Sequence, residues 1–202
     1  MIESRCGIKC RECKYKERMN CKGCINIDKP FWGDSCPVKS CCQERRLEHC
    51  GQCPEFPCDL LKQFAYDDKE GDNGERIETC RKWYAEQFIY DVVRKNAEAL
   101  QNYFTPDAVI RWHDSNEEFT VAEYIRANCE YPGQWNGEVS RVEKIKAGMV
   151  IVTKIQSDES AHLITAFIEL KDGKINKLDE YYSDCNDAPD WRKAMNIGRP
   201  IK

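Results

Sequence analysis

The chain has 202 residues, which is enough for one large domain or two small ones. Its hydrophobic fraction of 41% allows a buried core, and its net charge of -4 excludes an overall basic nucleic-acid footprint. No apolar run approaches the roughly 20 residues of a membrane helix, and the N-terminus lacks the apolar stretch of a secretory signal. We therefore expect a cytoplasmic protein without a membrane partner.

The cysteines divide the chain, because eleven of the 14 lie within the first 58 residues. This segment has few long apolar runs, so disulfides or metal must supplement its core. Disulfides need an oxidising compartment, and without an export signal a thiol-rich segment is better interpreted as a metal site. The change in composition predicts a cysteine-rich, zinc-binding domain over residues 1–80 and a second domain over residues 83–202.

Three pairs of cysteines are separated by two residues, a spacing that directs two sulfurs at one ion. These pairs are Cys10 and Cys13, Cys21 and Cys24, and Cys50 and Cys53. Two such pairs complete a tetrahedral zinc site, and an iron–sulfur cluster is the alternative cofactor. The predicted metal ligands are Cys6, Cys10, Cys13, Cys21, Cys24, Cys36, Cys41, Cys50, Cys53 and Cys58.

The order of the cysteine motifs is itself distinctive. The segments that carry it are Cys6–Cys13, Cys21–Cys24, Cys36–Cys41, His49–Cys58, Asp59–Leu61 and Gly74–Ile77. They resemble a family of small bacterial and archaeal cysteine-rich domains with no assigned function, which implies a metal-binding fold and no catalytic role. Cys42 and Cys80 fall outside the recognised spacing and are not predicted ligands, and His49 is expected to be a surface residue.

Helical and extended segments follow the cysteine-rich part. Residues 67–75 are polar and contain two glycines, which predicts a loop. Apolar residues at three- and four-residue steps predict a helix from Trp83 to Phe104, until a proline ends it. A strand is predicted over residues 108–112, and a second helix begins at Thr120 with a capping box.

The last part of the chain alternates with a period of two and predicts four strands. They cover residues 139–146, 149–156, 161–170 and 174–183. Their short connections make neighbouring strands antiparallel. Helices followed by such a meander predict an α+β fold, in which helices pack on one face of a curved sheet and enclose a pocket.

Three segments of the second half form a recognisable pattern: Tyr103–Ile110, Asp172–Ile175 and Leu178–Tyr182. They resemble the nuclear-transport-factor-two-like superfamily, a cone-shaped cystatin-like fold, and within it the SnoaL-like branch of polyketide cyclases and ketosteroid isomerase relatives. The resemblance implies a small-molecule pocket, an acidic residue that transfers protons, and a homodimer through the outer sheet face. Residues 116–135 and the tail at 191–201 resemble an uncharacterised subgroup of that superfamily.

Strand parity indicates which side chains face the cone. If Leu178 points inward, Glu180 and Tyr182 do so as well. A carboxylate on an apolar wall acquires a raised pKa that suits a general acid or base, and a phenol can stabilise an oxyanion. Glu180 and Tyr182 are therefore the predicted catalytic residues. The predicted pocket residues are Trp112, Asn116, Tyr124, Asn128, Tyr131, Trp135, His162, Glu180, Tyr182 and Trp191.

Three functions are compatible with these patterns. The first is a small-molecule-binding protein with a metal-stapled accessory domain, and the second is an isomerase, cyclase or dehydratase that uses Glu180. The third is a regulatory interaction protein that senses metal or redox state. A structural alternative for Glu180 is an ion pair with Arg192. The basic residues between Lys9 and Lys22 are interspersed with Glu12 and Glu17, which favours a solvated face over a nucleic-acid site.

Overall fold

The computed structural model describes residues 2–201, which contain seven α-helices, one short 3-10 helix and one six-stranded sheet. The α-helices are α1 (Tyr15–Arg18), α2 (Pro37–Glu44), α3 (Asp59–Ala65), α4 (Glu75–Val93), α5 (Ala97–Tyr103), α6 (Val121–Glu130) and α7 (Asp190–Ala194), and the 3-10 helix is Cys50–Gln52. The strands are β1 (Phe104–Trp112), β2 (Glu117–Phe119), β3 (Asn136–Ile145), β4 (Gly148–Gln156), β5 (Ala161–Lys171) and β6 (Lys174–Asp184). No helix within residues 2–201 is both long and apolar enough to cross a bilayer.

Helix α4 joins two separate hydrophobic cores. It contributes Ile77 and Cys80 to a core rich in cysteine, which also includes residues of α2 and α3. Two turns later it contributes Tyr84 and Phe88 to the core of the sheet-containing part. The predicted domain ranges, 1–80 and 83–202, thus meet inside a continuous helix and not in a linker.

The cysteine-rich module consists of short helices and turns packed against the N-terminal half of α4. The chain comes close to α4 at Gly7, whose φ angle is +93°. A β-carbon at this position would lie 2.0 Å from the carbonyl oxygen of Arg76, so only glycine fits between the loop and the helix. Nearby, the amide of Cys50 donates a hydrogen bond of 2.8 Å to the carbonyl of Arg5.

The sheet forms the curved wall of the second module, and its strands follow the order β2-β1-β6-β5-β4-β3. Strands β3 to β6 are antiparallel neighbours, which confirms the predicted meander. Strand β1 pairs in parallel with β6, so that Ile110 lies opposite Leu178 and Trp112 lies opposite Glu180. The short strand β2, which pairs with the end of β1, was missing from the sequence prediction because three residues are too few to show alternation.

The predicted helix from Trp83 to Phe104 is in fact two helices. Helix α4 ends at Val93, and Lys95 adopts the left-handed conformation with a φ angle of +58°. Asn96 then caps α5, because its side-chain oxygen accepts a hydrogen bond of 3.3 Å from the amide of Ala99. The apolar stripe continues across this break, which is why its period alone predicted one helix.

Helix α6 begins as its sequence predicts. The hydroxyl oxygen of Thr120 accepts a hydrogen bond of 3.4 Å from the amide of Glu123, and the Glu123 carboxylate accepts one of 2.8 Å from the amide of Thr120. This capping box satisfies two amide groups that the first turn of a helix leaves unpaired. It orients α6 across the open side of the sheet, where Tyr124 and Ile125 are buried.

The two modules touch at the turn between β5 and β6. Gly173 has a φ angle of +74°, and a β-carbon there would lie 2.6 Å from the Cα atom of Pro54 in the cysteine-rich module. The hydroxyl of Tyr84 on α4 donates a hydrogen bond of 3.5 Å to the carbonyl of Gly173. A second contact is formed by Gln87, which bonds to the side chains of Gln52 and Glu48.

Replacing Gly173 with alanine should lower the free energy of unfolding by about 2–3 kcal/mol, because the new methyl group meets the backbone of Pro54. Gly133 is the matched control. Its φ angle is +83°, but the atom nearest to an added β-carbon is Nε1 of Trp135, 3.5 Å away. Gly133→Ala should therefore cost only the backbone strain, about 1 kcal/mol. Urea denaturation measures both losses, and equal losses would contradict the close contact at Pro54.

Candidate functional site

A cavity of about 430 Å³ opens between α4, α6 and the inner face of the sheet. Its walls combine aromatic, aliphatic and charged side chains from the ends of these elements. They are Val92, Val93, Lys95, Trp112, Asp114, Ala127, Asn128, Tyr131, Trp135, Ile155, His162, Tyr182 and Asp184. The cavity therefore lies where the predicted α+β cone places its pocket.

A buried carboxylate lies behind the cavity wall. Glu180 is only 3% exposed, and its Oε2 atom accepts hydrogen bonds from Nε1 of Trp112 at 2.7 Å and from the hydroxyl of Tyr182 at 3.2 Å. Burial raises the pKa of Glu180 to about 7, although the two hydrogen bonds oppose the shift and the nearby charge of Asp114 adds to it. Glu180 therefore keeps its proton to a higher pH than an exposed glutamate does.

The side chains of β6 alternate as predicted, but Glu180 does not line the cavity as predicted. Leu178, Glu180 and Tyr182 all point inward, and yet Glu180 does not line the cavity. The side chains of Trp112 and Tyr182 bond to it and separate it from the open space. Within residues 2–201 Glu180 forms no salt bridge, since its partners are neutral donors and the Arg192 guanidinium instead lies over the Trp191 ring.

One end of the cavity is built from a series of aromatic contacts. The rings of Tyr131 and Trp135 are 5.5 Å apart, and Trp135 lies 5.5 Å from the ring of His162. Nδ1 of His162 is 2.8 Å from Oδ1 of Asp184 across the β5–β6 pair. This hydrogen bond orients the imidazole ring at the cavity wall.

Six of the ten predicted pocket residues line the cavity, namely Trp112, Asn128, Tyr131, Trp135, His162 and Tyr182. Tyr124 and Glu180 lie deeper, and the Tyr124 ring packs 6.2 Å from that of Trp112. Asn116 does not line the cavity, because it occupies an exposed turn with a φ angle of +57°. Trp191 does not either, because it is 65% exposed on the C-terminal helix α7.

Two acidic residues of the rim were not among the predicted pocket residues. Asp184 continues the inward parity of Leu178, Glu180 and Tyr182 by one further step, so the alternation of β6 could have identified it. Asp114 follows Trp112 at the end of β1, which allowed a place at the cone mouth, but a surface turn was the expectation; the residue is exposed and also lines the cavity.

The thiols of the cysteine-rich module converge in the fold. Five of them line a small internal cavity of about 10 Å³: Cys41, Cys42, Cys50, Cys53 and Cys58. The Sγ atoms of Cys42 and Cys50 are 3.6 Å apart. A second group lies near the N-terminus, where Cys10 donates to the Glu3 carbonyl at 3.3 Å and Cys24 accepts from the Arg5 amide at 3.2 Å.

The cysteines have the right donor atoms for the predicted metal, but their positions within residues 2–201 do not form a ligand set. The donor type suits zinc or iron, because thiolates bind both. In the part of the chain that the structure describes, however, no three Cys, His, Asp or Glu side chains are positioned as ligands of one ion. Burial raises the pKa values of the Cys6 and Cys10 thiols to about 11, so in this arrangement both are protonated.

The expectation for His49 is wrong, because this residue is completely buried and not at the surface. Its Nδ1 atom accepts a hydrogen bond of 3.1 Å from the amide of Gly51, and its ring packs edge-on against Trp83 of α4. Burial lowers the pKa of His49 to about 4, so the ring is neutral. Cys42 and Cys80, which were not predicted ligands, are also buried in the thiol-rich core.

The cysteine-rich part has a counterpart among known families. Residues 14–63 match the model of the family DUF3795, described as a protein of unknown function. No curated protein matches the chain in sequence. The match includes the segment from Cys21 to Cys58, which carries most of the cysteine motifs.

Solved structures are similar to the second module. A candidate ketosteroid isomerase from Kribbella flavida has 20% sequence identity and a TM-score of 0.51, and the match covers 60% of this chain and 90% of that one. An NTF-2-like protein of unknown function from Burkholderia xenovorans has 18% identity and a TM-score of 0.50, with coverage of 60% and 94%. The chain therefore joins a segment that matches DUF3795 to a domain with the nuclear-transport-factor-two-like fold.

The raised pKa of Glu180 predicts a specific dependence of stability on pH. Its folded value of about 7 exceeds the usual 4.5, so the folded state holds the proton more tightly than the unfolded chain. The stabilising contribution is complete below pH 4.5 and is lost as the pH rises through 7, by about 3 kcal/mol. Glu180→Gln removes this dependence.

Denaturation of the wild type and of Glu180→Gln between pH 4.5 and pH 8 measures this pH dependence of stability. The free energy of unfolding of the wild type, relative to Glu180→Gln, should fall across this range. Comparison at each pH cancels the contributions of other titrating groups. Parallel curves for the two proteins would contradict the raised pKa.

Proposed function

We propose that the cone module binds a small molecule in the cavity between α4, α6 and the sheet. The observation that carries the proposal is an open space of about 430 Å³ with aromatic walls. Ligand pockets commonly measure roughly 300–1,000 Å³ and combine apolar walls with a few polar groups. Trp112, Tyr182 and His162 supply such walls from strands, whose backbone hydrogen bonds hold them in place.

The cysteine-rich module has a different part in this proposal. It matches a family of unknown function, and its contact with the cone runs through α4 and the Gly173 turn. It packs outside the cavity, because the cavity lining contains no residue before Val92 among the residues described. We therefore assign it the part of an accessory module and place the ligand in the cone alone.

A substitution that fills the cavity tests ligand binding. Ala127 lines the cavity from α6, whereas Ala122 is exposed on the same helix. A thermal-shift screen of small molecules against the whole chain should yield ligands that stabilise the wild type, because a ligand that binds only the folded state raises its stability. Ala127→Trp should weaken these ligands at least roughly tenfold, because the indole occupies their space.

Ala122→Trp is the matched control, since it adds the same side chain to the opposite face of α6. It should leave the affinity of every cavity ligand unchanged. A ligand whose affinity falls in neither variant binds elsewhere. If all ligands behave in that way, the proposal for the cavity is wrong.

Proton transfer is the second candidate function, and the observation that favours it is the carboxyl group of Glu180 with its pKa of about 7. Tyr182 lines the cavity and is hydrogen-bonded to Glu180. As the Tyr182 oxygen accepts a proton from a ligand, its own proton can pass to the Glu180 carboxylate. The ligand then loses one proton, Glu180 gains one and Tyr182 is unchanged. The pH titration of Glu180→Gln tests the pKa that this step requires.

For the cysteine-rich module we propose structural zinc binding, with an iron–sulfur cluster as the alternative. The proposal is supported by four predicted ligands that line the small thiol-lined cavity, Cys41, Cys50, Cys53 and Cys58, which would have to draw together to share one ion. Four thiolates are a common ligand set for structural zinc. Binding would require deprotonation of these thiols, which a cytoplasmic location would keep reduced. Zinc would then contribute to the folding free energy of the module.

Elemental analysis of protein purified without oxygen tests this proposal. The wild type should contain zinc and show no absorbance in the visible range. Cys53→Ser and Cys58→Ser should each lower the zinc content and the melting temperature, because each removes a ligand. Cys185→Ser, which changes an exposed cysteine of the C-terminal tail, should leave both unchanged. A brown protein with iron and sulfide would favour the cluster, and metal-free protein would contradict both.

A further inference from the structure

The rim of the cone cavity carries an excess of negative charge. Asp114 and Asp184 are exposed where they line it, and Oδ1 of Asp184 also lies 2.8 Å from Nδ1 of His162. The only lysine or arginine among the described lining residues is Lys95. A ligand that enters the cavity therefore passes two carboxylates and meets one ammonium group.

Two of the three N–H donors of Lys95 are already used within the protein. Its ammonium group donates hydrogen bonds to the carbonyl oxygens of Tyr131 and Gly133, the latter at 3.0 Å. These bonds hold the segment after α6, which carries the aromatic side chains of the rim. Lys95 thus stabilises the shape of the cavity, and one of its three N–H donors is left for a ligand.

Three of the four Trp and Tyr side chains of the wall donate their polar hydrogen to another group of the protein. Nε1 of Trp135 donates to the carbonyl of Pro132 at 2.9 Å, and Nε1 of Trp112 donates to Glu180. The hydroxyl of Tyr182 is directed to the same carboxyl group. Tyr131 and Tyr182 keep a hydroxyl oxygen that can accept a hydrogen bond, and all four residues offer a ligand the π surface of their rings. That surface carries the negative part of the ring quadrupole and attracts cations.

From these two features we infer that the ligand of the cavity is an organic cation, of the class of methylated amines. Its cationic group would contact the faces of Trp112, Tyr131, Trp135 and Tyr182, while Asp114 and Asp184 supply opposite charge at the rim. This inference rests on the proposed small-molecule function of the cavity and names the class of molecule it takes. A carboxylate or phosphate ligand would meet the same two carboxylates and a single ammonium group with one donor left.

Aromatic faces suit a methylated ammonium group better than a primary one. A primary ammonium keeps strong hydrogen bonds to water and loses them on contact with a ring. A trimethylammonium group has no N–H donors, spreads its charge over its methyl groups and is easily desolvated, so ring faces can surround it. The exposed carboxylates remain hydrated and act mainly by attracting the cation to the opening.

Choline and its carbon isostere test the inference, because a tert-butyl group in the isostere replaces the trimethylammonium group without changing its shape. A third probe is the carboxylate made by oxidising the alcohol group of the isostere, which keeps the tert-butyl group and adds a negative charge. Calorimetric titration of the whole chain should show at least roughly tenfold tighter binding of choline than of the isostere, equivalent to about 1.4 kcal/mol. The carboxylate should bind more weakly than either.

Variants of the wall and the rim assign the binding to these residues. Trp135→Leu and Tyr131→Leu each remove one ring face and should weaken choline roughly three- to tenfold, with a smaller effect on the isostere. Either variant alone tests the ring contact, so the test still holds if only one of them folds, as verified by circular dichroism. Asp114→Asn should weaken choline alone, and Asp68→Asn, an exposed change in the cysteine-rich module, should have no effect.

The outcomes separate this inference from the proposed function. Equal affinity for choline and the isostere, or tighter binding of the carboxylate, would overturn the cation and retain the pocket. Choline binding that survives Ala127→Trp would lie outside the cavity and would overturn the inference as well. If none of the three probes binds, the cation is rejected, and the screen with Ala127→Trp and Ala122→Trp decides separately whether the cavity binds small molecules.

Discussion

Helix α4 is the element on which both halves of this protein depend. Its hydrogen-bonded backbone carries Ile77 and Cys80 into the thiol-rich core and Tyr84 and Phe88 into the core of the cone. At its C-terminal end it places Val92 and Val93 on the cavity wall. Because a helix bends little over such a length, the thiol core and the cavity are attached to one stiff element. The fusion is thus a shared core element and not two domains on a flexible linker.

The cavity owes its chemical character to how the polar edges of its aromatic residues are satisfied. Burial of Glu180 is tolerated because Trp112 and Tyr182 donate hydrogen bonds to it, which replaces part of its lost hydration. Those same bonds turn the polar edges of both rings away from the cavity. One buried carboxyl group therefore accounts both for a carboxyl group with a raised pKa and for the direction of the polar edges of Trp112 and Tyr182.

The thiol-rich core illustrates the two physical properties of cysteine. Val38 and Leu61 pack with Cys36, Cys42 and other cysteines, which behave there as small apolar side chains. The same sulfurs are potential metal ligands when deprotonated. The small cavity they surround, of about 10 Å³, is near the size of a single water molecule. A module this poor in aliphatic side chains gains stability from either property.

Elements that depend on neighbouring residues could be predicted from the sequence alone. The alternation of the last four strands, the capping box at Thr120 and the inward parity of Glu180 and Tyr182 each act over a few neighbouring residues, and each is present in the fold. The family resemblances of both halves rest on such short motifs and agree with the DUF3795 match and the nuclear-transport-factor-two-like structures.

Three features follow from the tertiary structure and not from local sequence: the burial of His49, the separation of Glu180 from the cavity and the position of Asp114 at the cavity rim. Each depends on residues far apart in sequence, as in the hydrogen bond between Trp112 and Glu180, which are 68 residues apart. Local periodicity indicates the face on which a side chain lies, but not which residue of another strand covers it. That is set by the parallel pairing of β1 with β6, a long-range contact that no local pattern encodes.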